Sequence, residues 1–224
     1  MPRNARVDVG GEIYHVINRA NGRLQIFNKD EDYQLFEQLL FETKELFDMR
    51  ILAYCLMPSH FHLILYPKND GDLSLFMHRL SNAHTRKVHA RTNTNGSGHL
   101  YQGRYKSFLV DKENYLLAVI KYVERNAVRV KLARSCEDWR WGSAWRRIYG
   151  TEQQKKLLNQ KSFQLPGDYV NWINLAENID SLNTIRTSLN KGVPYGRESW
   201  VDNMVLKYHL GSTLKSPGRP MKKV

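Results

Sequence analysis

Two strand-like runs, Arg50 to Leu56 and His60 to Tyr66, are separated only by Met57-Pro58-Ser59. So short a link, with a proline in it, argues for an antiparallel hairpin, and the rest of the chain must be arranged around it. Upstream, Ile13-Tyr-His-Val-Ile17 is short and β-rich and follows a Gly10-Gly11 break. Asp30 to Phe47 then switches to helical spacing, with Tyr33, Phe36, Leu39, Leu40, Leu46 and Phe47 on or near one face. Asp30, Glu31 and Asp32 suit the positive end of that helix. Downstream, a second helix is expected from about Asp72 to Arg91, with Leu73, Phe76, Leu80 and Ala83 on its apolar side. Asn93-Thr-Asn-Gly-Ser-Gly98 is a break, Tyr105 to Val110 reads as a fourth strand, and a third helix runs from Asp111 or Lys112 to about Arg129. The order β-α-β-β-α-β and then α predicts an α+β fold: a ferredoxin-like sandwich with an antiparallel sheet and an added helix.

Beyond Trp139-Arg-Trp-Gly-Ser143 the texture changes. Thr151 to Gln164 is polar, Leu165-Pro-Gly167 is a break, and short helical patterns follow at Asp180 to Asn190 and Arg197 to Tyr208. The expected organisation is a catalytic domain over 1–150, a small helical accessory region over 151–215, and a basic tail over 216–224. No apolar run is long enough to span a bilayer, no signal peptide is visible, and Cys55 and Cys136 stand alone. A cytoplasmic location with reduced thiols and no membrane partner is therefore expected.

Charge gives the first functional direction. Lys plus Arg number 34 against 22 Asp plus Glu, a net charge of +12 and a pI near 9.7. That excess favours a polyanionic partner, because each neutralised phosphate releases counterions.

His60-Phe61-His62 is the sharpest local feature. Side chains alternate along a strand, so His60 and His62 emerge together while Phe61, Leu63 and Leu65 face the other way. Two imidazoles so placed can approach one metal ion, although hydrogen-bonded packing histidines show the same pattern. On the third helix Tyr122 and Asn126 are four apart and share a face, and Tyr115 lies seven before Tyr122. A phenol beside an amide oxygen and two imidazoles suits phosphoryl transfer, with the phenolate attacking and a metal taking up transition-state charge. Amphipathic packing accounts equally well for either tyrosine alone.

Four ordered motifs carry a resemblance: Met57-Pro-Ser-His-Phe-His62, His99-Leu-Tyr-Gln-Gly-Arg-Tyr-Lys106, Tyr122-Val-Glu-Arg-Asn126-Ala-Val128 and Asp138-Trp-Arg-Trp-Gly-Ser143. With the late segment from Lys191-Gly-Val-Pro194 through Gly218-Arg-Pro220, the chain resembles the single-tyrosine HUH transposases, and most closely the REP-associated tyrosine transposases. The resemblance implies that His60, His62 and Asn126 bind Mg2+ or Mn2+, and that Tyr122 is the nucleophile. It implies nicking and rejoining of single-stranded DNA through a 5′-phosphotyrosine, beside palindromic hairpins, by a monomer or homodimer. Relatives often carry proline after the helix asparagine; Ala127 here lets the helix continue.

The DNA would be held by Arg79, Arg86 and Lys87 on the second helix, and by Arg104, Lys106, Arg125 and Arg129 around the site. Tyr101, Tyr105 and Phe108 are candidates for stacking unpaired bases. Arg219, between Gly218 and Pro220, has the form of a minor-groove contact. Two other readings use the same residues: a DNA-binding protein that keeps the fold without catalysis, and a phosphodiesterase that uses water.

Overall fold

The computed structural model describes residues 7–94, 96 and 98–214. Four strands, β1 (Ile13–Arg19), β2 (Arg50–Met57), β3 (His60–Tyr66) and β4 (Lys106–Val110), form one antiparallel sheet in the order β2-β3-β1-β4. Helix α1 (Asp30–Phe47) joins β1 to β2, and α2 (Asp72–Thr92) joins β3 to β4. That is the expected ferredoxin-like order. The Asp32 carboxylate accepts from the amides of Asn28 and Lys29 at 3.0 and 3.2 Å and so fixes where α1 begins. The helix stops at Asp48, which takes the left-handed conformation at φ 47°.

Alternation along the strands sorts the side chains into two cores. On one face Tyr14, Val16, Leu56, Phe61, Leu63 and Leu65 pack against Phe36 and Leu40 of α1 and Phe76 and Leu80 of α2. The other face carries Ile13, Cys55, Met57, Ile64, Phe108 and Val110. It is covered by α3 (Asn114–Glu124) through Val119, Ile120 and Val123. Each large apolar side chain so buried stabilises the fold by roughly 1.5–3 kcal/mol.

The third helix is shorter than its periodicity suggested. α3 ends at Glu124, and a separate turn, α4 (Asn126–Arg129), follows Arg125. The cause is local competition for carbonyls. Asn126 Nδ2 donates to the Val123 carbonyl at 3.1 Å and Arg129 Nη2 donates to the Tyr122 carbonyl at 3.0 Å.

The later elements are α5 (Ser143–Tyr149), α6 (Glu152–Lys155), α7 (Tyr169–Asn174), α8 (Ile179–Lys191), α9 (Glu198–Lys207) and α10 (Gly211–Leu214). α8 and α9 fall where the sequence placed helical patterns; α5, α6, α7 and α10 are too short to show one. Leu157, Leu158, Met204 and Leu210 belong to the first core, and Ile185 and Tyr195 to the second. Tyr195 adds a bridge beside β4, its amide donating to the Leu109 carbonyl at 2.8 Å. The Asp138–Ser143 motif lies along the outer edge of β2: Trp139 Nε1 donates to the Leu56 carbonyl, and the Leu56 amide to the Trp141 carbonyl, both at 2.9 Å. Among the described residues no helix is long and apolar enough to cross a membrane. The basic tail from residue 216, with Arg219, lies outside the described residues.

Candidate active site

The face covered by α3 brings the sequence-selected residues together. His60 pairs with Arg19, and His62 with Ile17, across the β1–β3 ladder. Both imidazoles therefore project toward α3 and α4. Their ring centroids are 5.1 Å apart, and the Tyr122 ring stands edge-on to His62 at 6.0 Å. Tyr115 takes no part; it packs against Tyr195 at 5.5 Å.

A third imidazole joins them. His15, on β1, is fully buried, and its Nε2 lies 2.9 Å from His62 Nδ1. It also packs against Phe108 at 4.9 Å and Tyr122 at 6.0 Å. With His62 Nδ1 engaged by His15, and His60 Nδ1 3.2 Å from Ser59 Oγ, each of the two β3 histidines keeps Nε2 free of a protein partner among the described residues. One tethered nitrogen and one open nitrogen is the arrangement of a metal-binding histidine.

The electrostatics agree with that arrangement. Burial, then Arg19, lowers the His60 pKa to about 4. Burial, followed by His15, His60, Arg129 and Arg19, holds His62 well below the usual range. Burial alone brings His15 down to about 3. All three are neutral near pH 7, as imidazole ligands must be. Among the described residues no cluster of three His, Cys, Asp or Glu side chains could hold a metal. A divalent ion here would rest on two imidazoles and an oxygen; the sequence offers Asn126, which opens α4 just after the tyrosine helix, as that oxygen. Asn126 is buried, and its Oδ1 accepts from Arg129 Nη1 at 2.8 Å, which leaves one lone pair on that oxygen. That donor set is mixed, two nitrogens and one oxygen, and would suit Mg2+ or Mn2+ once a phosphate added further oxygens.

Tyr122 is buried, 5% exposed. Burial raises its pKa, and the charges of Arg129, Arg186 and Arg19 oppose that rise while Glu177 adds to it.

The predicted DNA contacts divide into three groups. Arg79, Arg86 and Lys87 are exposed on α2, and no carboxylate pairs with them among the described residues. Arg104 is exposed on the segment before β4, where it and Asn18, His78, Asn82, His99 and Gln102 help line an open groove of about 920 Å³. Lys106 is exposed opposite Ile17 and so lies on the histidine face. Arg125 and Arg129 are engaged within the protein, both on Glu177. The proposed stacking aromatics are a correction. Tyr101, Tyr105 and Phe108 are all core residues, with Tyr101 held to His84 Nδ1 at 2.7 Å and Tyr105 to Ser74 Oγ at 3.2 Å. Tyr101 and Tyr105 show only an edge to the groove beside Arg104, and Phe108 none, so burial leaves no open ring face for a base to stack on.

Sequence reasoning missed His15, Arg19 and Glu177. The first two share the strand alternation of His60 and His62 and emerge once the β1–β3 register is known. Glu177, in a turn between α7 and α8, left no signal.

The chain matches the profile of IS200-like transposases over residues 9–126, a little over half its length. Its fold resembles a REP-associated tyrosine transposase solved bound to a REP hairpin, with TM-score 0.57 and 18% identity, covering 80% of this chain and 93% of that one. A candidate transposase from Deinococcus radiodurans R1 aligns with TM-score 0.39 and 21% identity over 55% of this chain and 97% of that one. No curated protein matches the chain in sequence.

Proposed function

Since the chain belongs to the IS200-like transposase family, a family of DNA-processing enzymes, we propose that it nicks and rejoins single-stranded DNA with Tyr122 as the nucleophile. The observation that carries this reading is the buried Tyr122 ring standing edge-on to both His62 and His15. A tyrosine placed for packing alone has no need of two neutral imidazoles beside it.

The reaction is a transesterification. The Tyr122 oxygen forms a bond to phosphorus as the bond from phosphorus to the 3′ oxygen breaks; the phenolic proton is given up and one proton ends on the released 3′-hydroxyl. The 5′-phosphotyrosine keeps the energy of the phosphodiester, so attack by a 3′-hydroxyl rejoins a strand. His60, His62 and Asn126 would hold Mg2+ or Mn2+, which supplies charge stabilisation at the phosphate. The protein's own part is to keep the imidazoles neutral, exclude water around the phenol and fix Tyr122 against the sheet.

Arg79, Arg86 and Lys87 on α2, with Arg104 and Lys106 at the end of β4, form the surface that holds DNA. The α2 face lies across the sheet from Tyr122, while Arg104 and Arg19 sit at the end where the two faces meet; the Gln102 amide donates there to the Arg19 carbonyl at 2.9 Å. A hairpin stem on α2 would feed its unpaired flank around that end to Tyr122. The REP hairpin bound by the structural relative fits this reading.

A labelled oligonucleotide carrying a hairpin and a single-stranded flank, compared with the same sequence fully paired, tests it. With Mn2+ the single-stranded form should be nicked and leave a covalent protein adduct, and EDTA should abolish both. Equal cutting of the duplex would overturn the single-strand mechanism. Cutting without an adduct would move the chemistry to water.

A further inference from the structure

Glu177 reaches back from the turn between α7 and α8 to the end of the tyrosine helix. Its side chain is 13% exposed. Oε2 accepts from Arg125 Nε at 3.0 Å, and Oε1 accepts from Arg129 Nη2. Arg125 is otherwise committed to the backbone, donating to the Ile173 and Asn174 carbonyls at 3.1 and 2.6 Å. Arg129 is not. Its guanidinium spans the two residues on which the chemistry rests, with Nη1 on Asn126 Oδ1 at 2.8 Å, Nη2 on the Tyr122 carbonyl at 3.0 Å and its central carbon 4.6 Å from the Tyr122 ring centroid. Its Nε is buried with no partner among the described residues. An arginine drawn out of water with one donor unmet is a poor device for stability, since desolvation offsets most of what the ion pair contributes. Its position needs another reason.

We infer that Arg129 is a positioning residue that orients Tyr122 and Asn126 and faces its charge toward the attacking phenolate, and that Glu177 fixes it there. This rests on Tyr122 being the nucleophile. A cation held beside the ring in a site shielded from water stabilises developing negative charge more than a hydrated one does, and needs no reorganisation during the reaction. Arg186 of α8 and Arg19 of β1 add positive charge felt by the phenol, and the neutral rings of His15 and His62 pack against it. Among the described residues Glu177 opposes them, and its carboxylate is divided between two arginines. The accessory region thereby acquires a role in the reaction: it supplies the residue that aims the guanidinium.

Single-turnover cleavage at saturating oligonucleotide, DNA affinity and thermal melting should be compared for Arg129→Ala, Arg129→Lys, Glu177→Gln and Tyr122→Phe. Arg129→Ala should cleave about 100-fold more slowly, as on loss of one preorganised donor, with affinity changed only a few-fold. Millimolar guanidinium should restore part of that rate, and urea, its neutral analogue, should not. Arg129→Lys keeps the charge without the planar fork and should fall between. Glu177→Gln should be slowed about 10-fold, a smaller effect than loss of the donor itself. Wild-type rates in Arg129→Ala, a loss explained wholly by affinity, or equal recovery with urea would overturn the inference. If Arg129→Ala does not fold, wild-type rates in both Arg129→Lys and Glu177→Gln would overturn it. An adduct formed by Tyr122→Phe would instead remove the nucleophile on which it rests.

Discussion

At the scale of residues, the site is a set of neutral imidazoles kept out of water. His15 and His60, brought down to about 3 and about 4 from 6.5, bind protons more readily in the unfolded chain than in the fold. Above pH 6.5 neither state is protonated and the histidines leave stability unchanged. Below it the unfolded state gains protons first, so stability falls as the pH drops from about 6.5 toward the folded values. Each such histidine contributes a loss on the order of 2 kcal/mol between pH 7.5 and pH 5. Thermal melts of the metal-free protein should show a clearly lower midpoint at pH 5, and equal midpoints would mean that the imidazoles are already solvated. His60 and His62 were legible because strand alternation needs only the sequence. The role of His15 was not, because it depends on which residues of β1 and β3 stand side by side.

At the scale of elements, the hairpin, α1, α2 and the later α8 and α9 follow from period and punctuation alone. The break after α3 did not, because Asn126 and Arg129 impose it by taking carbonyls that a continuing helix would use. The stacking role of Tyr101, Tyr105 and Phe108 failed for a related reason: an aromatic beside a basic run looks the same whether it faces solvent or core. α2 carries the element-scale prediction. Replacing Arg79, Arg86 and Lys87 with alanine should weaken hairpin binding and lower the salt slope by about 2–3, close to 0.9 per lost phosphate contact. The cleavage rate at saturating DNA should stay unchanged, because none of the three touches the Tyr122 face. An unaltered slope would place the DNA elsewhere.

At the scale of the whole molecule, the C-terminal half is fastened to the tyrosine helix through buried charge. Glu124, 2% exposed and two residues from Tyr122, accepts from Ser143, Arg147 and Tyr169. Beneath α1, Glu37 pairs with Arg146, which also donates to the Tyr54 hydroxyl at 2.6 Å. Breaking one such buried pair costs about 3–5 kcal/mol. None of this was legible in the sequence, where Glu124, Arg146 and Arg147 look like ordinary surface charge. Sequence periodicity reports local elements, and these partners are far apart in the chain, from 19 residues for Glu124 and Ser143 to 109 for Glu37 and Arg146. The chain is thus arranged to hold one helix rigidly against one row of imidazoles. The most direct test is to trap the covalent complex with a single-stranded hairpin oligonucleotide and Mn2+, digest it, and locate the nucleotide-bearing residue by mass spectrometry. The account predicts the phosphonucleotide on Tyr122 and no adduct from Tyr122→Phe, with Tyr115→Phe near wild type. An adduct on Tyr115, or cleavage with no tyrosine modified, would contradict it.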